Sequence, residues 1–344
     1  MRSTDMRACI YGAGAMGTVL GAFMARAGED VELVTRNQSH VAALNAAGAR
    51  IGTADGGELF ACRVKALPPS AMSGRYDIVF LMTKQRDNAQ TVRYISNFLS
   101  PGGAVCTLQN GLPEDSVAAV VGRENTLGCA VSWGATFVQP GYVLLTSSPD
   151  AMSFALGSPY GESEKIPLAA RLLKCAGRVY TEKNFIGARW SKLIVNSAFS
   201  SLSAITSFTF GRIAAGRDTR PAAQRLLKEG IDTALACGVT PTKIQGHDLV
   251  KWLNYSGAVK RALSYALIPV AMKKHKNLVA SMLQDIRSGK PCEIAFINGA
   301  VSAQGRKANV PTPFNDRTVE IVSAIERGEK TFSFDNIALF NDLF

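Results

Sequence analysis

The chain has 344 residues, 47% hydrophobic and 19% charged, a balance that supplies ample apolar material for a core and a length that fits two domains. The formal net charge of +11 would suit a polyanion, but Lys and Arg are spread along the chain and only Lys273-Lys274-His275-Lys276 forms a tight cluster, which argues against a nucleic-acid binder. Seven cysteines without CxxC or CxxxC spacing and only three histidines point to reduced, cytoplasmic thiols and no metal site, and no apolar run reaches membrane-spanning length.

The first elements form a βαβ unit: an apolar run at residues 8–11, a glycine turn, a helical stretch over 15–27 and a second strand over 30–35. Gly12, Gly14, Gly17 and Gly21 punctuate this start and Glu29 and Asp30 follow, so it is not read as a signal peptide. The turn reads Gly12-Ala13-Gly14-Ala15-Met16-Gly17. In a GxGxxG between strand and helix, the first glycine permits the tight turn, the second lets a pyrophosphate approach the backbone, and the third lets helix and strand pack closely. The phosphates would rest on amides at the helix N-terminus. The second strand ends Leu33-Val34-Thr35-Arg36, with a cation where a site specific for NAD places a carboxylate. Arg36, with Thr35, Asn37 and Gln38 beside it, suits the 2′-phosphate of NADP, and the expected cofactor is NADPH. Glu32 lies mid-strand, badly placed for a ribose contact.

Further strands are expected at 77–82, 103–108 and 125–131, joined by segments long enough for helical crossovers, which implies a parallel, doubly wound sheet. After Pro140-Gly141, segments 142–147, 152–156 and 177–181 read as extra strands, a late antiparallel addition to that sheet. From about Ile186 strand signals fade, and helices are expected over 188–206, 221–236, 248–265 and 293–304, ending where Gly and Pro fall, at 238–241, Pro269, 289–291 and 311–313. The fold class is thus an α/β Rossmann-type domain over residues 1–184 followed by an all-α domain over 185–344.

Polar residues interrupt the apolar pattern in four places. Thr83-Lys84-Gln85 and Gln109-Asn110-Gly111 close two of the strands, and carboxyl ends of parallel strands are where ligands bind in this architecture. Asn110-Gly111 would equally serve a plain turn. Lys192, Asn196 and Ser200 are spaced by four and share one helical face among apolar neighbours; a lysine snorkelling to solvent is the plainer alternative. Ser281 and Glu293 flank the last such segment, where Glu293 could simply favour a helix N-terminus.

Taken together, GAGAMG, the strand-end Arg36, TKQ, LQNG, RWSKLIVN, SMLQDIRSGKPCEIAFINGAV and VPTP, in order from Gly12 to Pro313, resemble ketopantoate reductase. The resemblance implies an N-terminal Rossmann domain and a helical C-terminal domain of the 6-phosphogluconate dehydrogenase type, with the active site in the cleft they share. It implies NADPH-dependent reduction of a small 2-keto acid, ketopantoate to (R)-pantoate, in pantothenate and coenzyme A biosynthesis, by a cytoplasmic enzyme with a homodimer as candidate assembly and neither nucleic acid nor membrane as partner. By this resemblance Lys192 aligns with the catalytic general acid and Glu293 with a glutamate that helps fix substrate. Asn110 aligns with an active-site asparagine and Lys84 with a cofactor-side lysine, while Asn196 and Ser281 align with substrate-binding positions. Gly12, Ala13, Gly14, Ala15, Met16, Gly17, Arg36, Lys84, Gln109 and Asn110 are the expected cofactor contacts. Ser200, a candidate substrate contact, stands where the family usually has an asparagine, and Phe210, before Gly211, stands where some members have another. These departures leave open a reductase of a different 2-keto acid. A non-catalytic NADP(H) sensor is the competing class, and it fits less well because Lys192, Asn196, Ser281 and Glu293 are all present.

Overall fold

Runs of consecutive apolar residues make strands that are buried on both faces, and such strands assemble into a parallel sheet covered by helices. In the structure, a computed structural model describing residues 6–244 and 247–344, they do so in the first of two units, Met1–Gln109 with Pro113–Phe185. Its strands are β1 (Ala8–Tyr11), β2 (Val31–Val34), β3 (Ala49–Thr53), β4 (Glu58–Cys62), β5 (Lys65–Leu67), β6 (Tyr76–Leu81), β7 (Leu99–Thr107), β8 (Thr126–Val131), β9 (Ala135–Gln139), β10 (Tyr142–Leu145), β11 (Ser153–Gly157) and β12 (Arg178–Thr181). Its helices are α1 (Ala15–Arg26), α2 (Gln38–Ala47), α3 (Asn88–Ser96), α4 (Glu114–Val121) and α5 (Ile166–Lys174). The main sheet runs β12-β11-β8-β7-β6-β1-β2-β5, parallel through its centre, with β11 antiparallel to β8 as the expected late addition.

Two expectations need correction here. The segment between β2 and β6 is more than a helical crossover, because it also carries β3, β4 and β5. The strand expected at 142–147 is β10, which joins a separate four-stranded sheet, β4-β3-β10-β9, instead of the main one. Short strands rich in Gly, Ala and charge carry little apolar periodicity, so pairing with partners distant in sequence decides their fate. Helix α1 packs its buried Val19, Leu20, Ala22 and Met24 into one core with residues of both sheets, including Leu33, Ile51 and Val143. A Cβ on Gly21 would lie 2.7 Å from Leu33, so this position holds the helix close to β2.

The second unit, Asn110–Leu112 with Ile186–Phe344, is helical: α6 (Phe185–Val195), α7 (Ser201–Thr206), α8 (Phe210–Ala215), α9 (Thr219–Ala236), α10 (Leu249–Leu253), α11 (Ala258–Ala271), α12 (Ser281–Arg287), α13 (Ile294–Ala308) and α14 (Pro313–Glu326). Its core gathers Trp190, Phe199, Leu226, Ile268, Val301 and Ile321, among others, from most of these helices. The helix expected over 248–265 is two, separated at Gly257, whose φ of +85° is a left-handed conformation that ordinary residues avoid. Pro269 does not end a helix: α11 continues to Ala271 and tolerates it within its last turn. The stretch expected as one helix over 188–206 is continuous but not uniform, because Asn196–Ser200 form a π turn between α6 and α7. Asn and Ser are weak helix formers whose side chains compete for backbone partners, and this run of them yields to the wider turn. No helix among the described residues is long and apolar enough to cross a membrane.

Candidate active site

Each glycine of the first turn does a separate job. Gly12 has φ +107°, and a Cβ there would sit 2.6 Å from the Thr83 amide nitrogen, so the loop after β6 lies hard against the turn. A Cβ on Gly17 would fall 2.5 Å from the Gly12 carbonyl oxygen, which fixes the close approach of α1 to its strand. A Cβ on Gly14 would meet no protein atom within 4 Å. Gly14 is also the N-cap of α1 and brings no side chain to its first amides, nor is there an acid in the first turn. Bare helix-terminal amides beside open space make a cradle for an anion, and the pyrophosphate of NADPH fits it. The Thr83 hydroxyl, buried next to this turn, has no hydrogen-bond partner among the described residues.

The rest of the carboxyl edge is braced from within. Gln109 is buried, and its amide is spent inside the unit: Nε2 donates to the Thr83 carbonyl (2.8 Å) and to Asn88 Oδ1 (2.7 Å), while Oε1 accepts from Thr107 Oγ1 (2.9 Å) and Asn88 Nδ2 (3.0 Å). The Gln109 side chain is therefore a brace that shapes the loop against Gly12. Lys84 is exposed at the start of that loop, just beyond Thr83. The sequence pattern did not reveal Asn88, though a buried amide opening a helix was its available signal.

At the end of β2, Arg36 is exposed, while its neighbours are engaged by the backbone. Asn37 Oδ1 caps α2 by accepting the His40 amide at 3.0 Å, and Thr35 Oγ1 accepts the Asn37 amide at 3.3 Å. Glu32 accepts from Tyr76 Oη (2.6 Å) and pairs with Arg7 (2.8 Å), near the start of β2 and away from the strand end where a ribose contact would form. A second buttress went unread in the sequence. His40 Nδ1 accepts the Gly141 amide (2.9 Å), which leaves its hydrogen on Nε2 to meet Thr18 Oγ1 (2.9 Å), and Thr18 Oγ1 lies 3.5 Å from the Ala13 carbonyl. Burial lowers the pKa of His40, consistent with this neutral, fully engaged imidazole.

In the helical unit, Lys192 is half-buried on the last turn of α6, followed by Asn196 and Ser200 in the π turn. Ser200 Oγ donates to Asn196 Oδ1 at 3.3 Å, so these two do share a side of the helix. Asn110 Nδ2 donates to Glu293 Oε2 at 3.3 Å, which joins two positions that are 183 residues apart. Glu293 is the N-cap residue of α13, and Ser281 opens α12 with an exposed side chain. Phe210 faces inward: it is 5% exposed, with its ring centroid 5.5 Å from that of Phe199.

Behind the π turn lies a buried polar chain. Asn298 Nδ2 donates to the Ser197 carbonyl (2.8 Å) and to Asn315 Oδ1 (3.0 Å), and Asn315 Nδ2 donates to Glu229 Oε2 (2.7 Å). Glu229 also accepts the amides of Phe314 (2.8 Å) and Asn315 (2.9 Å) at the start of α14. Burial pushes Glu229 up to about 7, against these three N–H donors, which pull it down. Asn298 within an apolar helical run and Glu229 among leucines were the sequence signals for this chain.

The sequence matches the ketopantoate reductase PanE/ApbA model over residues 8–158 and the model of its C-terminal part over 184–326. The chain belongs to the ketopantoate reductase family. A 2-dehydropantoate 2-reductase from Mesorhizobium japonicum is 29% identical, over 94% of this chain and 99% of that one. Among solved structures, a PanE/ApbA family ketopantoate reductase from Ralstonia eutropha JMP134 superposes with a TM-score of 0.76 at 27% identity, covering 94% of this chain and 99% of that one. A D-mandelate dehydrogenase solved with NADH and anilino(oxo)acetate shares the fold, with a TM-score of 0.79 at 24% identity over 94% and 99% of the two chains. Phe210 packs into the core of the helical unit, whereas Ser200 sits beside Asn196.

Proposed function

We propose that this chain is an NADPH-dependent reductase of a small 2-keto acid, with ketopantoate as substrate and (R)-pantoate as product. Family membership supports the reaction class, and relatives named 2-dehydropantoate 2-reductase support the substrate. The observation that carries the reading within the helical unit is the joining of Asn110 to Glu293, in the same unit that holds the Lys192, Asn196 and Ser200 face. NADPH, when bound, supplies the hydride. The residues at 12–17 would seat its pyrophosphate and Arg36 its 2′-phosphate, with Lys84 on the cofactor side.

Hydride addition to the keto carbon leaves negative charge on its oxygen. Lys192 is the group we assign to hydrogen-bond that oxygen and hand it a proton, because an ammonium stabilises an alkoxide far more than a ketone. Glu293, steadied by the Asn110 amide, would orient substrate, and Asn196, Ser200 and Ser281 would offer the remaining polar contacts. All seven cysteines are free thiols, which accords with our placing the enzyme in the cytoplasm; a homodimer is its expected assembly. A second reading, reduction of a different 2-keto acid, is favoured by Ser200, whose short hydroxyl donates to its neighbour Asn196. NADPH oxidation across a panel of 2-keto acids, ketopantoate included, separates the two. Turnover of ketopantoate well above its analogues is expected, preference for another member selects the second reading, and inactivity on the whole panel rejects both.

A further inference from the structure

A carbonyl inside a uniform α-helix receives the N–H four residues on. At the π turn this pattern changes: the Ser201 amide turns to Ala198 O, three residues back. The Ser197 carbonyl accepts from two side chains, Ser201 Oγ and Asn298 Nδ2. Asn298 is completely buried, on α13, and its orientation is set from behind, because its Nδ2 also reaches Asn315 Oδ1, and Asn315 is held by the Glu229 carboxylate. Its own Oδ1 has no partner among the described residues. A buried amide that leaves its carbonyl unsatisfied is expensive, and a core filled with leucine there would avoid the expense. What the amide does achieve is to hold one carbonyl of the π turn, that of Ser197, which lies between Asn196 and Ser200.

We infer that Asn298 is a positioning residue: by holding the Ser197 carbonyl it locks the π turn and thereby sets Asn196 and Ser200 for the substrate. This rests on the reading of those two residues as substrate contacts. The test is Asn298→Leu in the full chain, which puts two methyl groups where the amide oxygen and nitrogen were. The expected result is a KM for the 2-keto acid raised about tenfold, the loss of one well-placed hydrogen bond, with KM for NADPH unchanged. In an Asn196→Ala, Ser200→Ala background the same substitution should change KM little, since its effect passes through those two side chains. A merely structural role would lower the thermal midpoint and the active fraction, hence kcat, with KM unchanged, and that outcome overturns the proposal. If Asn298→Leu does not fold, Ser201→Ala, which removes the other side-chain donor on the same carbonyl, decides: a raised KM supports the lock and an unchanged one overturns it. If the wild-type protein reduces no 2-keto acid, the functional reading fails by itself. Amide hydrogen exchange over residues 196–201 then decides the lock, with faster exchange in Asn298→Leu supporting it and unchanged exchange overturning it.

Discussion

The glycine turn and the Lys192 helix are both built from short sequence runs, yet they are specified by different physics. Around Gly12, Gly14 and Gly17 the working parts are backbone: amides, a left-handed φ and the space left by absent side chains. Around Lys192 they are side chains, displayed on a helix whose regular period is broken at Asn196–Ser200 and whose break is tied to α13 and α14. A site made of backbone tolerates change only where no atom is in the way, whereas a site made of side chains depends on everything that aims them.

The largest expected effect lies on the side-chain half. Lys192→Ala should lower kcat by about two to four orders of magnitude, because its interaction is strongest as the oxygen gains charge. NADPH binding, measured by fluorescence titration, should barely move, and equal turnover would remove Lys192 from the chemistry. Next comes the charge at the end of β2. Arg36→Ala should weaken NADPH by about 10- to 100-fold, the worth of a charge-assisted contact, and leave NADH unaffected; equal losses for both cofactors would mean that Arg36 does not read the phosphate.

The backbone half is tested by paired glycine variants. Gly14→Ala should fold like the wild type and lose about tenfold in NADPH affinity, since its methyl group meets no protein atom and stands where the pyrophosphate would approach. Gly12→Ala should destabilise the fold itself by about 2 kcal/mol or more, from its positive φ and its clash with Thr83. Matching behaviour of the two variants in thermal unfolding and cofactor titration would erase the distinction.

The smallest effect is a pH dependence. Burial lowers the folded-state pKa of His40 below its ordinary 6.5, so as pH falls the unfolded chain takes up that proton first. The contribution of His40 is full above about pH 6.5 and declines as pH drops through that value, by at most about 1.4 kcal/mol per pH unit. Thermal midpoints measured from pH 7.5 to 5.5 should fall less in His40→Gln than in wild type, and parallel curves would acquit the histidine.

Much of this fold is legible locally. The apolar runs of β1, β6 and β8 and the periodic helices after residue 186 announce themselves, because each is buried by most of its length. The second sheet does not, since β3, β4 and β9 are short, partly exposed strands whose identity comes from pairing across the chain. Gln109 shows the same limit at a single residue. Its place at a strand end suggests a ligand contact, and only the positions of Thr83, Thr107 and Asn88 reveal an amide already spent.

Sequence alone therefore determined the glycine turn, the cation that ends β2, the order of an α/β half before a helical half, and the residue types expected to do the chemistry. Those are properties of contiguous residues, set by φ preferences, periodicity and charge. The tertiary structure decided that Asn110 meets Glu293, that Gly141 of a distant hairpin anchors the His40 beside the glycine turn, and that a π turn is gripped by an asparagine 101 residues away from the carbonyl it holds. Such contacts depend on which buried donors find which acceptors once the helices have packed, and no local pattern encodes that choice.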